Sequence, residues 1–491
     1  MASLRPFSFS ALYLYFPILA FAFFQNSQDA SLPAILIDGC FEDWQGRTPL
    51  FVQEQAAVSP EALRLSGLWA ADDADYLYLK LVFNNNILLQ ENNRIILYLD
   101  CDDEPHTGKA IGDIGAEVAF AFGQRQGWML VNGDSLSIEY EALGLVAAPA
   151  TYTDTFELAL QWNASPELER LHFGDGPLRL LIRDEDSGNA MPSVLYQPLR
   201  QGRAPLKWPG LEKADSRHLR LVTHNVNRHH LQPDKRDAFT RVYRALQPDL
   251  LLLEEAYDGT AEEIRDYFQP ALGPSPTGLW LAYKAGAEAT VLITPYPVHE
   301  IVPLGNSAAY LIDLRPNYPG SLALVALSLP CCRQDSARQA EADQIMAFVR
   351  HWRKGSVDGG LAEGTPIVLA GDANLVGYPE QLATLLYGRI QDSLAYGASF
   401  SPDWDGSPFT DLCPQQLQRP MTFTWRGKGF FPGRLDYIIY SDSALRIGRN
   451  FVFDTVGLPE SLLKQYDIRE QDAPNTYKHQ PVVADLILYN Q

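Results

Sequence analysis

Five short phrases between residues 223 and 482 carry residue types suited to holding a divalent metal and splitting a phosphate ester. They are Thr-His-Asn at 223–225, Pro-Asp-Leu-Leu-Leu-Leu-Glu-Glu at 248–255, Gly-Asp-Ala-Asn at 371–374, Arg-Leu-Asp-Tyr at 434–437 and His-Gln-Pro-Val at 479–482. Each borders an apolar run that reads as a strand, and each delivers Asn, Glu, Asp or His where that strand stops. Phosphodiester hydrolysis needs charge neutralisation, an oriented water and a stabilised leaving oxygen. A carboxylate such as Glu255 suits Mg²⁺ or Mn²⁺, which take hard oxygen ligands. Asp372 and Asn374 lie two residues apart, so an extended segment turns both to one side. There Asp372 can orient a water while Asn374, like Asn225, donates to a phosphate oxygen. His479 beside Asp436 would be an imidazole whose orientation and basicity are fixed by its partner. Taken singly each phrase says little, because Gly-Asp-x-Asn is commonly a turn and a lone His-x-Pro is usually structural.

The elements that must position these residues follow from the hydrophobic pattern. After residue 216, strands such as Leu219-Arg-Leu-Val-Thr223 alternate with helical stretches at 235–246 and 336–352. The second stretch puts Ala340, Ile345, Phe348 and Val349 at roughly helical spacing. Alternation of this kind predicts a layered α/β domain. In joint order and spacing the five phrases resemble the endonuclease/exonuclease/phosphatase superfamily, the DNase I-like fold, over about residues 216–489. The resemblance implies a four-layer α/β sandwich with the site at one edge of two packed sheets. It also implies Glu255 as the ligand of Mg²⁺ or Mn²⁺, and Asn225, Asp372, Asn374, Asp436 and His479 as catalytic residues. Trp425 stands in the family's Thr-Trp phrase, and residues 290–298 look like its internal strand and turn.

Three positions depart from that pattern. Glu254 stands where the family has Gln in its Gln-Glu pair. Lys478 stands where Asp usually precedes the terminal His; it can pair with Glu255 and weaken metal binding, bring its ammonium to the phosphate, or point to solvent. Ser328, near the end of the apolar run 322–329, replaces a His or Tyr and is a poorer acid. These departures keep three functions open: a metal-dependent phosphoesterase, a catalytically weakened domain in an extracellular glycan-binding protein, and an extracellular nuclease. The charge balance weighs against the nuclease. Residues 1–215 hold 14 basic and 29 acidic side chains and residues 216–491 hold 25 and 31, so neither half offers the net positive charge of a general duplex-DNA binder.

At 491 residues the chain is too long for one core. Residues 31–200 read as an all-β sandwich, with apolar strands near 76–83, 94–100, 117–122, 128–131 and 156–160 separated by turn residues. A Gly- and Pro-containing linker is expected at 201–215, ahead of the 216–491 domain. The phrases at 38–44, 70–78 and 100–108 resemble β-sandwiches related to family 9 carbohydrate-binding modules. That resemblance implies a structural Ca²⁺, for which Asp100, Asp102 and Glu117 are the candidates unless they form a solvated acidic loop, and a glycan partner stacked on Trp44 or Trp69 unless these pack in the core. Residues 1–30 read as an export signal or N-terminal anchor: Arg5, then an apolar run from Phe7 to Phe24, then polar residues. Export points to periplasm, cell surface or medium. The five cysteines fit no zinc spacing; Cys40–Cys101 is one candidate disulfide, and free thiols are the alternative.

Overall fold

The computed structural model describes residues 33–53, 63–202, 210–287, 289–355, 360–474 and 476–489. The export segment 1–30 and residues 203–209 of the expected linker lie outside the described residues. Among the described residues no helix is long and apolar enough to cross a membrane.

The N-terminal part is built from two antiparallel sheets. One has the strand order Phe51–Val52, Leu65–Asp72, Tyr76–Ile87, Thr153–Gln161, Val146–Ala148. The other runs Val194–Tyr196, Leu178–Asp184, Ile95–Asp100, Val118–Ala121, Gln126–Val131, Asp134–Glu139. Strand alternation makes the core: Leu77, Leu79, Leu81 and Phe83 share one face and meet Leu97, Leu99, Phe120 and Leu180 from the opposite sheet.

Two expectations fail here. Trp44 is only 1% exposed and its Nε1 donates to Glu157 Oε2 at 3.1 Å, so it offers no ring face to a sugar. Burial is the main cause holding the Glu157 carboxyl up to about 8, against its hydrogen bonds from Gly39, Trp44 and Asp38. Trp69 is half-buried, with the Lys80 ammonium 4.0 Å from its ring centroid. Cys40 is exposed, Cys101 is buried, and both are free thiols; the two do not pair.

The C-terminal part has four layers. Its first sheet has the order Leu281–Ala285, Thr290–Thr294, Leu250–Glu254, Leu219–Asn225, Val482–Leu488, Leu445–Val452. The second has the order Val298–Leu304, Ser307–Asp313, Ser321–Ser328, Ile367–Asp372, Asp436–Tyr440, Thr410–Leu412. Leu221, Leu252, Leu292, Leu324, Val368 and Ile438 fill the space between them. Helices Arg236–Leu246 and Ala261–Leu272 cover the outside of the first sheet, and helices Asp335–Arg353 and Glu380–Tyr387 the outside of the second. With apolar neighbours on both faces, the central strands become continuous apolar runs such as Leu250 to Leu253. The first helix buries Phe239, Val242, Tyr243 and Leu246 along one stripe. A Thr260–Glu263 capping box starts the next.

The two parts interlock. Ile37 bridges Met421, with the Ile37 amide donating to the Pro420 carbonyl at 2.9 Å and the Thr422 amide to the Ile37 carbonyl at 3.1 Å. The Tyr152 amide donates to the Gly377 carbonyl at 2.8 Å. Phe431, on the hairpin made by Trp425–Gly427 and Phe430–Gly433, belongs to the core of the N-terminal sandwich, 5.8 Å from Phe120 and 5.9 Å from Tyr140 between ring centroids.

Candidate active site

Strand register brings the phrases together. Strands Leu219–Asn225 and Leu250–Glu254 are parallel, with Asn225 opposite Glu254. Strands Ser321–Ser328 and Ile367–Asp372 are parallel, with Ser328 opposite Asp372. Asp436 opens an antiparallel strand and lies opposite Asp372. His479 precedes the strand Val482–Leu488, which pairs with Leu219–Asn225, and forms a bridge with Trp425. Gly371 permits the closest approach: at φ +132°, a Cβ there would collide with the Leu327 carbonyl oxygen and lie 3.0 Å from Glu254 Oε1.

Asn225 Nδ2 donates to Asp372 Oδ2 at 2.8 Å and to Glu255 Oε1 at 3.1 Å. Asn374 Nδ2 donates to the same Asp372 oxygen at 3.0 Å and to the Leu329 carbonyl at 2.9 Å. Both amides therefore hold carboxylates in this arrangement, and gripping a phosphate requires an exchange of those bonds. His479 Nδ1 lies 2.9 Å and 3.1 Å from the two Asp436 carboxylate oxygens, and its Nε2 lies 4.0 Å from Asp372 Oδ2. Asp372, Asp436 and His479 offer ligand atoms within 4.8 Å of one another.

The adjacent glutamates have opposite fates. Glu254 is fully buried and accepts from Thr223 Oγ1 at 2.6 Å; burial pushes its carboxyl well above the usual range. Glu255, at φ 52°, leaves the strand and lines the pocket. Lys478 is exposed at the pocket wall, and among the described residues it makes no ion pair with Glu255. Ser328 is buried at its strand end, with Asp372 across the ladder.

The electrostatics follow from crowding carboxylates out of water. Burial pushes Asp372 up to about 7; His479 opposes that shift and Asp436 adds to it. Burial works against charge on His479, but Asp436 and then Asp372 outweigh it and raise the imidazole to about 9. Glu255, Asp372 and Asp436 thus face one imidazolium. That acidic excess, made of hard oxygens, fits a divalent cation such as Mg²⁺ or Mn²⁺.

Two residues around the site make contacts that the sequence did not assign to them. Thr424 Oγ1 donates to Asp436 Oδ2 at 2.6 Å and accepts from the Asp436 amide at 2.9 Å. His224 Nε2 lies 3.1 Å from the His479 carbonyl oxygen; burial lowers this ring to about 3, so it stays neutral. Thr424 adjoins the noted Trp425, which is the one hint that could have found it. Nothing in the sequence pointed to the sandwich residues that reach the same pocket, described below.

In the sandwich, Asp100, Asp102 and Glu117 also converge, each offering an oxygen within 4.8 Å of the others. Glu117 Oε2 accepts from the Cys101 amide at 2.9 Å, while its buried Oε1 has no partner. That orphaned oxygen fits a Ca²⁺ ligand set.

Residues 222–459 match the sequence profile described as the Endonuclease/Exonuclease/phosphatase family. The C-terminal part has the DNase I-like fold, and the matched family generally hydrolyses phosphate esters. Among solved structures, the human Nocturnin catalytic domain with bound sulfate is 16% identical, over 56% of this chain and 95% of that one, at TM-score 0.35. Sphingomyelinase C from Streptomyces griseocarneus is 15% identical over 55% and 99%, at TM-score 0.33. A beta toxin mutant from Staphylococcus aureus with bound magnesium ions is 12% identical over 55% and 99%, at TM-score 0.30. No curated protein matches the chain.

Proposed function

We propose that this chain is an exported, metal-dependent phosphoesterase with an accessory β-sandwich. The observation that supports it most directly is the meeting of Asn225, Glu255, Asp372, Asn374, Asp436 and His479, from separate strand ends, around one pocket. Glu255, with Asp372 beside it, would hold the divalent cation, which when bound polarises a phosphoryl oxygen and offsets charge. Asp372 orients a water and takes its proton as the water oxygen bonds to phosphorus. The ester P–O bond breaks in line, and the His479 imidazolium, steered by Asp436, protonates the departing oxygen. Lys478 adds positive charge at the wall. The apolar run at 7–24 supports export, and the Asp100–Asp102–Glu117 cluster supports a structural Ca²⁺.

The test is hydrolysis of bis-p-nitrophenyl phosphate with Mg²⁺, Mn²⁺ or EDTA, beside His479→Ala. Turnover that EDTA abolishes and the substitution lowers by about 10²–10⁴-fold supports the reading. Turnover indifferent to both refutes it.

A further inference from the structure

The active-site pocket is not made by the catalytic domain alone. Its volume is about 610 Å³, a size that holds a small organic molecule rather than a phosphate group only. One end contains the catalytic cluster, with Asp372, Asn374, Glu255 and His479 in its lining. The rest of the lining is two-sided and largely apolar, with Gln90, Glu91 and Arg333 among it. The sandwich supplies Leu88, Leu89, Pro149 and Ala150, and the catalytic domain supplies Phe430 and Val376. Phe430 is 41% exposed on the hairpin whose next residue, Phe431, is anchored in the sandwich core. Gln90 Oε1 accepts from the Phe431 amide at 2.6 Å, tying the sandwich loop to that hairpin. Glu91 and Arg333, one from each part, form an ion pair of 3.2 Å beside the pocket.

We infer that this apolar end is a substrate subsite, shared between the two domains, for an aliphatic group on the alcohol of a phosphate ester. The inference rests on the phosphoesterase reading and narrows its substrate class. The argument is one of continuity and polarity. A phosphate seated at the catalytic cluster leaves its alcohol facing the rest of the same pocket, where Leu88, Leu89, Pro149, Ala150, Val376 and Phe430 supply apolar wall beside the polar Gln90, Glu91 and Arg333. Burying aliphatic carbon against those apolar side chains is favourable. The sandwich is thereby a determinant of specificity.

The experiment uses the full chain and a homologous series of alkyl p-nitrophenyl phosphates, from methyl to octyl, with Mg²⁺. In parallel, calorimetry measures the binding of methyl- and octylphosphonate, which are not hydrolysed. The expected result is a rise in kcat/KM of at least tenfold from methyl to octyl, with octylphosphonate binding at least tenfold more tightly than methylphosphonate. Leu88→Asp and, separately, Ala150→Asp reduce both ratios toward one. Leu136→Asp, on the strand Asp134–Glu139 and outside the pocket lining, leaves the ratios unchanged. Ratios are independent of the fraction of active protein, and circular dichroism verifies that each variant is folded. Ratios near one in the native chain, or ratios unmoved by both Asp variants, overturn the subsite. Absent turnover with a chain-length preference in phosphonate binding keeps the subsite and rejects the hydrolytic reading; neither turnover nor preference rejects both.

Discussion

His479 keeps its proton through neutral pH, because Asp436 and Asp372 together outweigh the burial that opposes its charge. A donor with a value of about 9 predicts that kcat/KM falls as pH rises through that point. Asp436→Asn removes the larger of the two raising charges, so the alkaline limb should move to lower pH; a limb that stays in place would belong to another group. The stability sign is the same. The folded value lies above the ordinary 6.5, so the stabilisation is complete below 6.5 and is lost as pH rises through about 9. The neighbouring glutamates give a second contrast. Glu254→Gln keeps the shape and the Thr223 hydrogen bond, so activity should stay within a few-fold. Glu255→Gln should raise the Mg²⁺ concentration for half-maximal activity by more than the roughly 10–100-fold typical of an outer partner of a metal ligand. Equal effects of the two substitutions in a metal titration would contradict the division of roles.

At the scale of elements, the four-strand-end geometry depends on how closely two sheets meet at Gly371. Gly371→Ala puts a side chain against the Leu327 carbonyl oxygen at φ +132° and should cost about 1–3 kcal/mol in denaturant unfolding. A change within about 0.5 kcal/mol would mean the strand shifts freely. Much of this architecture was legible in the sequence. The helix read at 235–246 is Arg236–Leu246, and that read at 336–352 is Asp335–Arg353, because their apolar stripes repeat at the helical period. The strand-end positions of Asn225, Asp372 and Asp436 were readable because each ends or begins an apolar run whose register is fixed by burial. The hidden part is non-local. Thr424 and His224 act on the site through contacts 12 and 255 residues away in sequence, which no periodicity encodes. Sequence leaves Trp44 open between sugar stacking and core packing because a Trp at a strand boundary looks the same whether its indole faces water or the Glu157 carboxylate; the structure shows it packed in the core.

For the whole molecule, the Asp100–Asp102–Glu117 cluster sits in the sandwich, apart from the catalytic pocket, so its metal should act on stability alone. Ca²⁺ at about one hundred times its Kd should add about 2.7 kcal/mol to the unit that binds it. The expected outcome is a higher melting temperature with Ca²⁺, reversed by EGTA and missing in Glu117→Gln; identical melting of both proteins with and without Ca²⁺ would remove the site. Phe431 carries a different consequence. Its ring completes a hydrophobic core on one side of the chain, and its hairpin pairs through Trp425 with His479 on the other. The halves are therefore not interchangeable cassettes. Residues 210–491 produced alone would bare Phe431, Met421 and Phe423 to water, and should be aggregation-prone even though their own sheets are complete. Shuffling this catalytic domain onto another partner would demand a new aromatic socket, so the pair is expected to be inherited as one piece.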